Sequence, residues 1–150
     1  MHNRMHASHR WGLILAGGEG VRLKPLTRFV SGDDRPKQFC RLVGGQTLLH
    51  QTRVRIAPSV DPDQTLFLLT QAHERFYNAE LGDVPEDQRI VQPENRGTLP
   101  AILCGMLRIA RADQEATVAV FPSDHHYAAE ARFIAGVQTA WDILDAEPDS

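Results

Sequence analysis

The stretch from residue 13 to residue 37 constrains this chain most. An apolar run, Leu13-Ile14-Leu15-Ala16, is cut off by Gly17-Gly18-Glu19-Gly20, and cations then recur at Arg22, Lys24, Arg28, Arg35 and Lys37. Glycines let backbone N–H groups approach an anion without side-chain obstruction, and Arg or Lys neutralises charge that backbone dipoles alone cannot. The pattern is a phosphate site in outline. A Walker loop is excluded because no Lys-Ser or Lys-Thr follows a glycine. The dinucleotide fingerprint fails at Leu23, which stands where its third glycine belongs. Lys24-Pro25 argues against a regular helix directly after the turn, because the residue before proline is pushed out of the α region. Residues 17–45 therefore read as a long loop, and loops of that length are usually functional or disordered.

The rest of the chain alternates strand and helix patterns. Strands are expected at residues 12–16, 65–69, 89–91 and 117–121, the second so continuously apolar that both faces should be covered. Thr47 is a plausible N-cap for a helix over 48–56 that Pro58 ends, and a further helix is expected over 73–81. Thr98 is expected to cap a helix with Pro100 in its first turn and with Ile102, Leu103, Met106, Leu107, Ile109 and Ala110 along a buried face, Met106 acting as core filler. The last helix spans 130–144, with Trp141, Ile143 and Leu144 packing, before a frayed tail. This alternation predicts an α/β fold with a Rossmann-like, doubly wound, mostly parallel sheet. In such sheets ligands bind beyond the carboxyl ends of the strands. The glycine loop follows strand one, Gln92 to Thr98 follow strand three, and Ser123-Asp124 follow strand four, so three segments fall on one rim.

With 150 residues, 42% of them hydrophobic, the chain can bury the core of one soluble domain, and a net charge of −3 argues against broad nucleic-acid binding. No apolar run is long enough for a membrane span and no signal peptide is visible, which suits the cytoplasm. Cys40 and Cys104 lack metal-type spacing and read as free thiols. Residues 1–10, with His2, His6 and His9, read as a disordered leader more readily than as a metal site. His125 and His126 are adjacent and without spaced Cys or His partners, which argues against zinc.

Gly17-Gly18-Glu19-Gly20-Val21-Arg22-Leu23, Pro25-Leu26-Thr27, Pro36-Lys37-Gln38-Phe39, the run from Gln92 to Thr98, and Phe121-Pro122-Ser123-Asp124-His125-His126 together resemble the signature of the sugar-1-phosphate nucleotidyltransferases. The Pro-Lys-Gln-Phe spelling resembles the mannose-1-phosphate guanylyltransferase branch. The resemblance implies a fold of the nucleotide-diphospho-sugar transferase type and transfer of a nucleotidyl group from a nucleoside triphosphate, GTP favoured, to a sugar 1-phosphate, mannose 1-phosphate favoured, with release of pyrophosphate. It implies catalytic roles for Arg22 and Lys37, nucleotide contacts at Leu15, Ala16, Gly17, Gly18, Gly20, Gln92, Asn95, Gly97 and Thr98, and Asp124 as a ligand of Mg²⁺. Read without the resemblance, Arg22 is a solvated charge, Gln92 an ordinary strand-end glutamine and Asp124 a turn or N-cap aspartate. Val21 and Leu99 depart from the family pattern, and Glu19 has no assigned role.

Relatives are expected to continue with strands that supply the sugar pocket and a second acidic metal ligand, so residues 11–150 read as the truncated, amino-terminal, nucleotide-binding part of the domain. Two readings follow. The chain is a transferase fragment or compact variant, with a homo-oligomer as one way to complete the site, or it is a nucleotide-binding module without turnover that binds nucleotide or regulates a full-length partner. A dinucleotide-binding oxidoreductase is disfavoured by Leu23 and by the lack of a ribose-binding acid after residue 69.

Overall fold

The computed structural model describes residues 9–146. Four strands, β1 (Arg10–Leu15), β2 (Thr65–Thr70), β3 (Arg89–Gln92) and β4 (Thr117–Pro122), pair in parallel in the order β3-β2-β1-β4. Every residue of β2 is buried, as its unbroken apolar run requires. Helices α1 (Lys24–Ser31) and α2 (Leu48–Ile56) lie between β1 and β2, α3 (Glu74–Glu80) follows β2, α4 (Thr98–Ala112) follows β3, and α5 (Glu130–Ala146) follows β4. Thr47 caps α2 as expected, its side chain accepting from the His50 amide.

Because successive strand residues point to opposite faces, the sheet feeds two cores. Ile14, Phe67, Leu69 and Phe121 pack with Phe39, Leu49, Tyr77 and Trp141 on one face. Leu13, Leu66, Leu68 and Ile90 pack with Ala101 and Ile109 on the other. The chain builds outward from β1 to β2 to β3 and then returns to place β4 on β1's other side. The order of construction thus reverses between β1 and β4, and in doubly wound sheets the ligand crevice opens at that reversal.

Several expectations are corrected. Residues 17–45 are not one long loop: a short 3-10 turn at Val21–Leu23 leads directly into α1. Lys24 is right-handed helical, at φ −51° and ψ −42°, and Pro25 sits in the first turn of α1, where its missing N–H breaks no helical bond. Thr98 is the first residue of α4 and not its cap; Gly97, at φ +94°, holds the cap position without a side-chain bond. The buried face of α4 is Ala101, Gly105 and Ile109, whereas Leu103, Met106, Leu107 and Ala110 are exposed, so Met106 is not core filler. The physical reason lies at Gly105, where a Cβ would come within 2.6 Å of Leu13 Cδ1. Small residues at four-residue spacing bring the helix backbone onto β1 and turn the bulkier side chains outward. In α5, Trp141 packs as expected, but Ile143 and Leu144 are exposed.

The expected leader lies outside the described residues up to Ser8, as does the tail at 147–150. Arg10 opens β1, and His9 meets Asp113 through Nδ1 at 3.0 Å. Among the described residues no helix is long and apolar enough to cross a membrane.

Candidate active site

The glycine loop leaves β1 under tight control. The Ala16 amide donates to the Leu68 carbonyl at 2.8 Å, and the Ser123 amide and hydroxyl both donate to the Leu15 carbonyl, tying the end of β1 to the ends of β2 and β4. Gln38 and Thr70 then bond the loop's own carbonyls, Gln38 Nε2 those of Ala16 and Gly18 and Thr70 Oγ1 that of Gly17. At Gly17 a Cβ would stand 2.8 Å from Thr70 Oγ1, so only glycine allows this approach. Gly20 is left-handed at φ +60° and starts the 3-10 turn, closed by the Leu23 amide on its carbonyl at 2.9 Å. A left-handed residue followed by a right-handed turn sets successive N–H groups around a concavity suited to an anion. Gly20, Val21, Arg22, Leu23 and Lys37 line an open hollow of about 440 Å³ at this point.

The cations sort themselves by partner. Arg28 is paired with Asp34 and Arg35 with Asp33, and hydrogen bonding from Arg35 holds the Asp33 carboxyl below its usual range. Lys37 reaches the far side of the loop, with Nζ 2.6 Å from Asp124 Oδ2. It begins a 3-10 turn, Lys37–Phe39, anchored by the buried Phe39 ring, which stacks on Phe76 at 5.9 Å and meets His73 edge-on at 6.2 Å. Arg22 is exposed and, among the described residues, has no ion-pair partner. Asp124 is fixed from both sides. Ser123, the residue before it, is bonded to the Leu15 carbonyl, and Tyr127, three residues after it, packs on Phe133 at 4.3 Å and on the buried Arg55 guanidinium at 4.9 Å. Burial lowers the pKa of His73, whose Nδ1 has no hydrogen-bond partner among the described residues.

Farther along the rim, Gln92 closes β3 in register with Thr70. Asn95 Oδ1 accepts from the Gly97 amide at 3.0 Å, and Asn95, Gly97 and Thr98 are exposed around the start of α4. Of the residues singled out in the sequence, Gly17, Gly18, Gly20, Arg22, Lys37 and Asp124 gather around the β1–β4 reversal, while Gln92 to Thr98 form a separate flank beyond β2. Leu15 and Ala16 lie beneath the loop; Ala16 is 1% exposed with both backbone groups engaged. Gln38 and Thr70 carry no sequence assignment. The available signals were a glutamine between the candidate Lys37 and an aromatic residue, and a threonine ending an apolar strand.

Asp124 is the acidic group paired with Lys37, whereas Glu19 and Glu94 are exposed elsewhere on the rim. Among the described residues no group of three or more His, Cys, Asp or Glu could hold a metal ion. One carboxylate suits Mg²⁺ that is shared with phosphate oxygens and water, since this ion needs few protein ligands. It does not suit a metal caged by protein.

The nucleotidyl transferase family model matches residues 11–141. The chain belongs to the nucleotidyl transferase family. Over 132 residues it is 38% identical to the xanthan biosynthesis protein XanB of Xanthomonas campestris pv. campestris, an alignment covering 85% of this chain and 27% of that protein. It is 33% identical over 148 residues to a mannose-1-phosphate guanylyltransferase of Escherichia coli K12, covering 95% of this chain and 30% of that one. A solved structure from Thermus thermophilus, described as a mannose-1-phosphate geranyltransferase, superposes with a TM-score of 0.75 at 30% identity, over 95% of this chain and 39% of that one. The chain thus spans under a third of the length of these two relatives.

Proposed function

We propose that this chain binds a nucleoside triphosphate across the β1–β4 reversal and serves transfer of its nucleotidyl group to a sugar 1-phosphate, with GTP and mannose 1-phosphate favoured. A phosphate oxygen of the sugar phosphate attacks the α-phosphorus, forming the new P–O bond as the bond to the β-phosphate oxygen breaks and pyrophosphate leaves. Both reactants are anions, and the attacking oxygen is already ionised. The protein's task is therefore alignment and charge compensation, with no need for a strong base. Glycine-loop amides would hold the triphosphate, with Arg22 over its outgoing end. Lys37 would lie across the reacting phosphates. Asp124 fits as the protein ligand of Mg²⁺, which supplies further charge neutralisation when bound. Gln92 offers a donor and an acceptor to a base edge, and the start of α4 offers free amides. The preference for guanine and mannose is supported by the names of the relatives.

The observation that carries this reading is the meeting of Lys37 and Asp124 at 2.6 Å beside the glycine loop. Lys37 rests on the Asp124 carboxylate. A bound Mg²⁺–nucleotide would let both groups exchange partners, Lys37 moving to phosphate and Asp124 to the ion. A second reading, nucleotide binding without turnover, is favoured because the described residues place no group of three or more metal-ligating side chains at Asp124. Pyrophosphate release decides between them, assayed with Mg²⁺, each common nucleoside triphosphate, and mannose or glucose 1-phosphate. Sugar-dependent release with one triphosphate is expected for a transferase. Silence from folded protein that still binds nucleotide selects the second reading.

A further inference from the structure

The carbonyls of the glycine loop are turned into the protein. Gln38, 2% exposed, donates from Nε2 to the Ala16 and Gly18 carbonyls, both at 2.9 Å, and Thr70, 3% exposed, donates from Oγ1 to the Gly17 carbonyl at 2.9 Å. In a trans peptide a carbonyl and the N–H that follows it point in opposite directions. Capturing these three carbonyls therefore aims the N–H groups of Gly17, Gly18 and Glu19. None of the three amides has a protein hydrogen-bond partner among the described residues. Gln38 is also the neighbour of Lys37 in one 3-10 turn, so the group that orients the amides and the group that carries the positive charge share a rigid support.

The geometry points to Gln38 and Thr70 as positioning residues that preset the glycine-loop amides for a polyphosphate. This rests on the nucleotide reading for the identity of the natural ligand. Gln38 acts through two carbonyls on one side of the loop and Thr70 through the intervening one, which fixes three successive peptide planes. Loss of either donor lets a plane rotate and removes one prepared amide from the anion. Thr70 adds a steric constraint, because its hydroxyl sits where a Gly17 side chain would begin.

The test is an amide-shift titration of the full chain with inorganic tripolyphosphate and, separately, with GTP. The largest shifts are expected at Gly17, Gly18 and Glu19 with both ligands. Gln38→Met and Thr70→Val should weaken both ligands about tenfold, whereas Thr70→Ser, which keeps the donor, should stay within about twofold of the parent chain. A purely structural role would lower the melting temperature and leave the affinity of the folded protein unchanged, and that result overturns the proposal. So do shifts centred elsewhere in the parent chain, an outcome that needs no variant to fold. Tripolyphosphate binding at these amides without GTP binding would sustain the proposal and refute the nucleotide reading. GTP binding with shifts elsewhere would do the reverse, and binding of neither ligand would refute both.

Discussion

The two flanks of the rim are built differently. On the β1–β4 side the glycine loop is held by Gln38, Thr70 and Ser123, and Lys37 is docked on Asp124. On the β3 side, Gln92 to Thr98 carry, among the described residues, one local side-chain bond, from the Gly97 amide to Asn95, and most of the segment is exposed. The first flank is organised before any ligand arrives, and the second is open. For a triphosphate this means that the charged end meets a prepared surface while the nucleoside end meets an adaptable one. Charge compensation between two anions tolerates little misplacement, whereas base contacts tolerate more.

Changes on the organised flank should therefore cost most. Lys37→Ala is expected to lower the transfer rate by about 10²- to 10³-fold, the usual cost of removing one preorganised electrostatic contact, as read from initial rates of pyrophosphate release. A smaller effect is expected at Asp124, where Asp124→Asn should weaken nucleotide binding about tenfold in Mg²⁺ and less in EDTA. Equal losses in the two buffers would remove Asp124 from the metal role. On the open flank, Gln92→Leu should weaken GTP about three- to tenfold, one to two neutral hydrogen bonds, and leave tripolyphosphate affinity unchanged. A matching loss for tripolyphosphate would erase the distinction between the flanks.

The smallest effect concerns stability and belongs to His73, which packs against Phe39 behind Lys37. Burial holds its pKa below the usual 6.5, Glu19 opposing that shift and Lys24 adding to it. As pH falls through 6.5 the unfolded chain takes up this proton before the folded one does, so the stability present above that pH is lost toward the folded pKa. Urea midpoints should fall between about pH 7.5 and about pH 5.5, and His73→Phe should flatten that slope. An unchanged slope would show that other groups set it.

The strands were legible because each is an apolar run bounded by turn residues. β2 was legible down to its two-sided burial, since Thr65–Thr70 holds no charged residue. α1 was hidden by Pro25: the rule that disfavours helix before proline gives way where proline enters the first turn. On α4 the large side chains Leu103, Met106 and Leu107 do not mark the core. Packing depends instead on Ala101 and Gly105, whose smallness is informative only once β1 is known to lie against them. In the site, Lys37 and Asp124 stood out through their motifs. Gln38 stands in the same motif as Lys37, and Thr70 in none, and the role of neither is legible there, because their partners lie 20 to 53 residues away and the bonds exist only in the folded chain.

The most direct measurement is calorimetric titration of the purified chain with GTP in Mg²⁺, with Lys37→Ala in parallel. The account predicts saturable binding of one nucleotide per chain, with Kd from about 1 μM to about 1 mM, as is usual for enzyme substrates, and clear weakening in the variant. Folded protein that takes up no GTP at millimolar concentration, or that binds it equally well without the Lys37 ammonium, would contradict it.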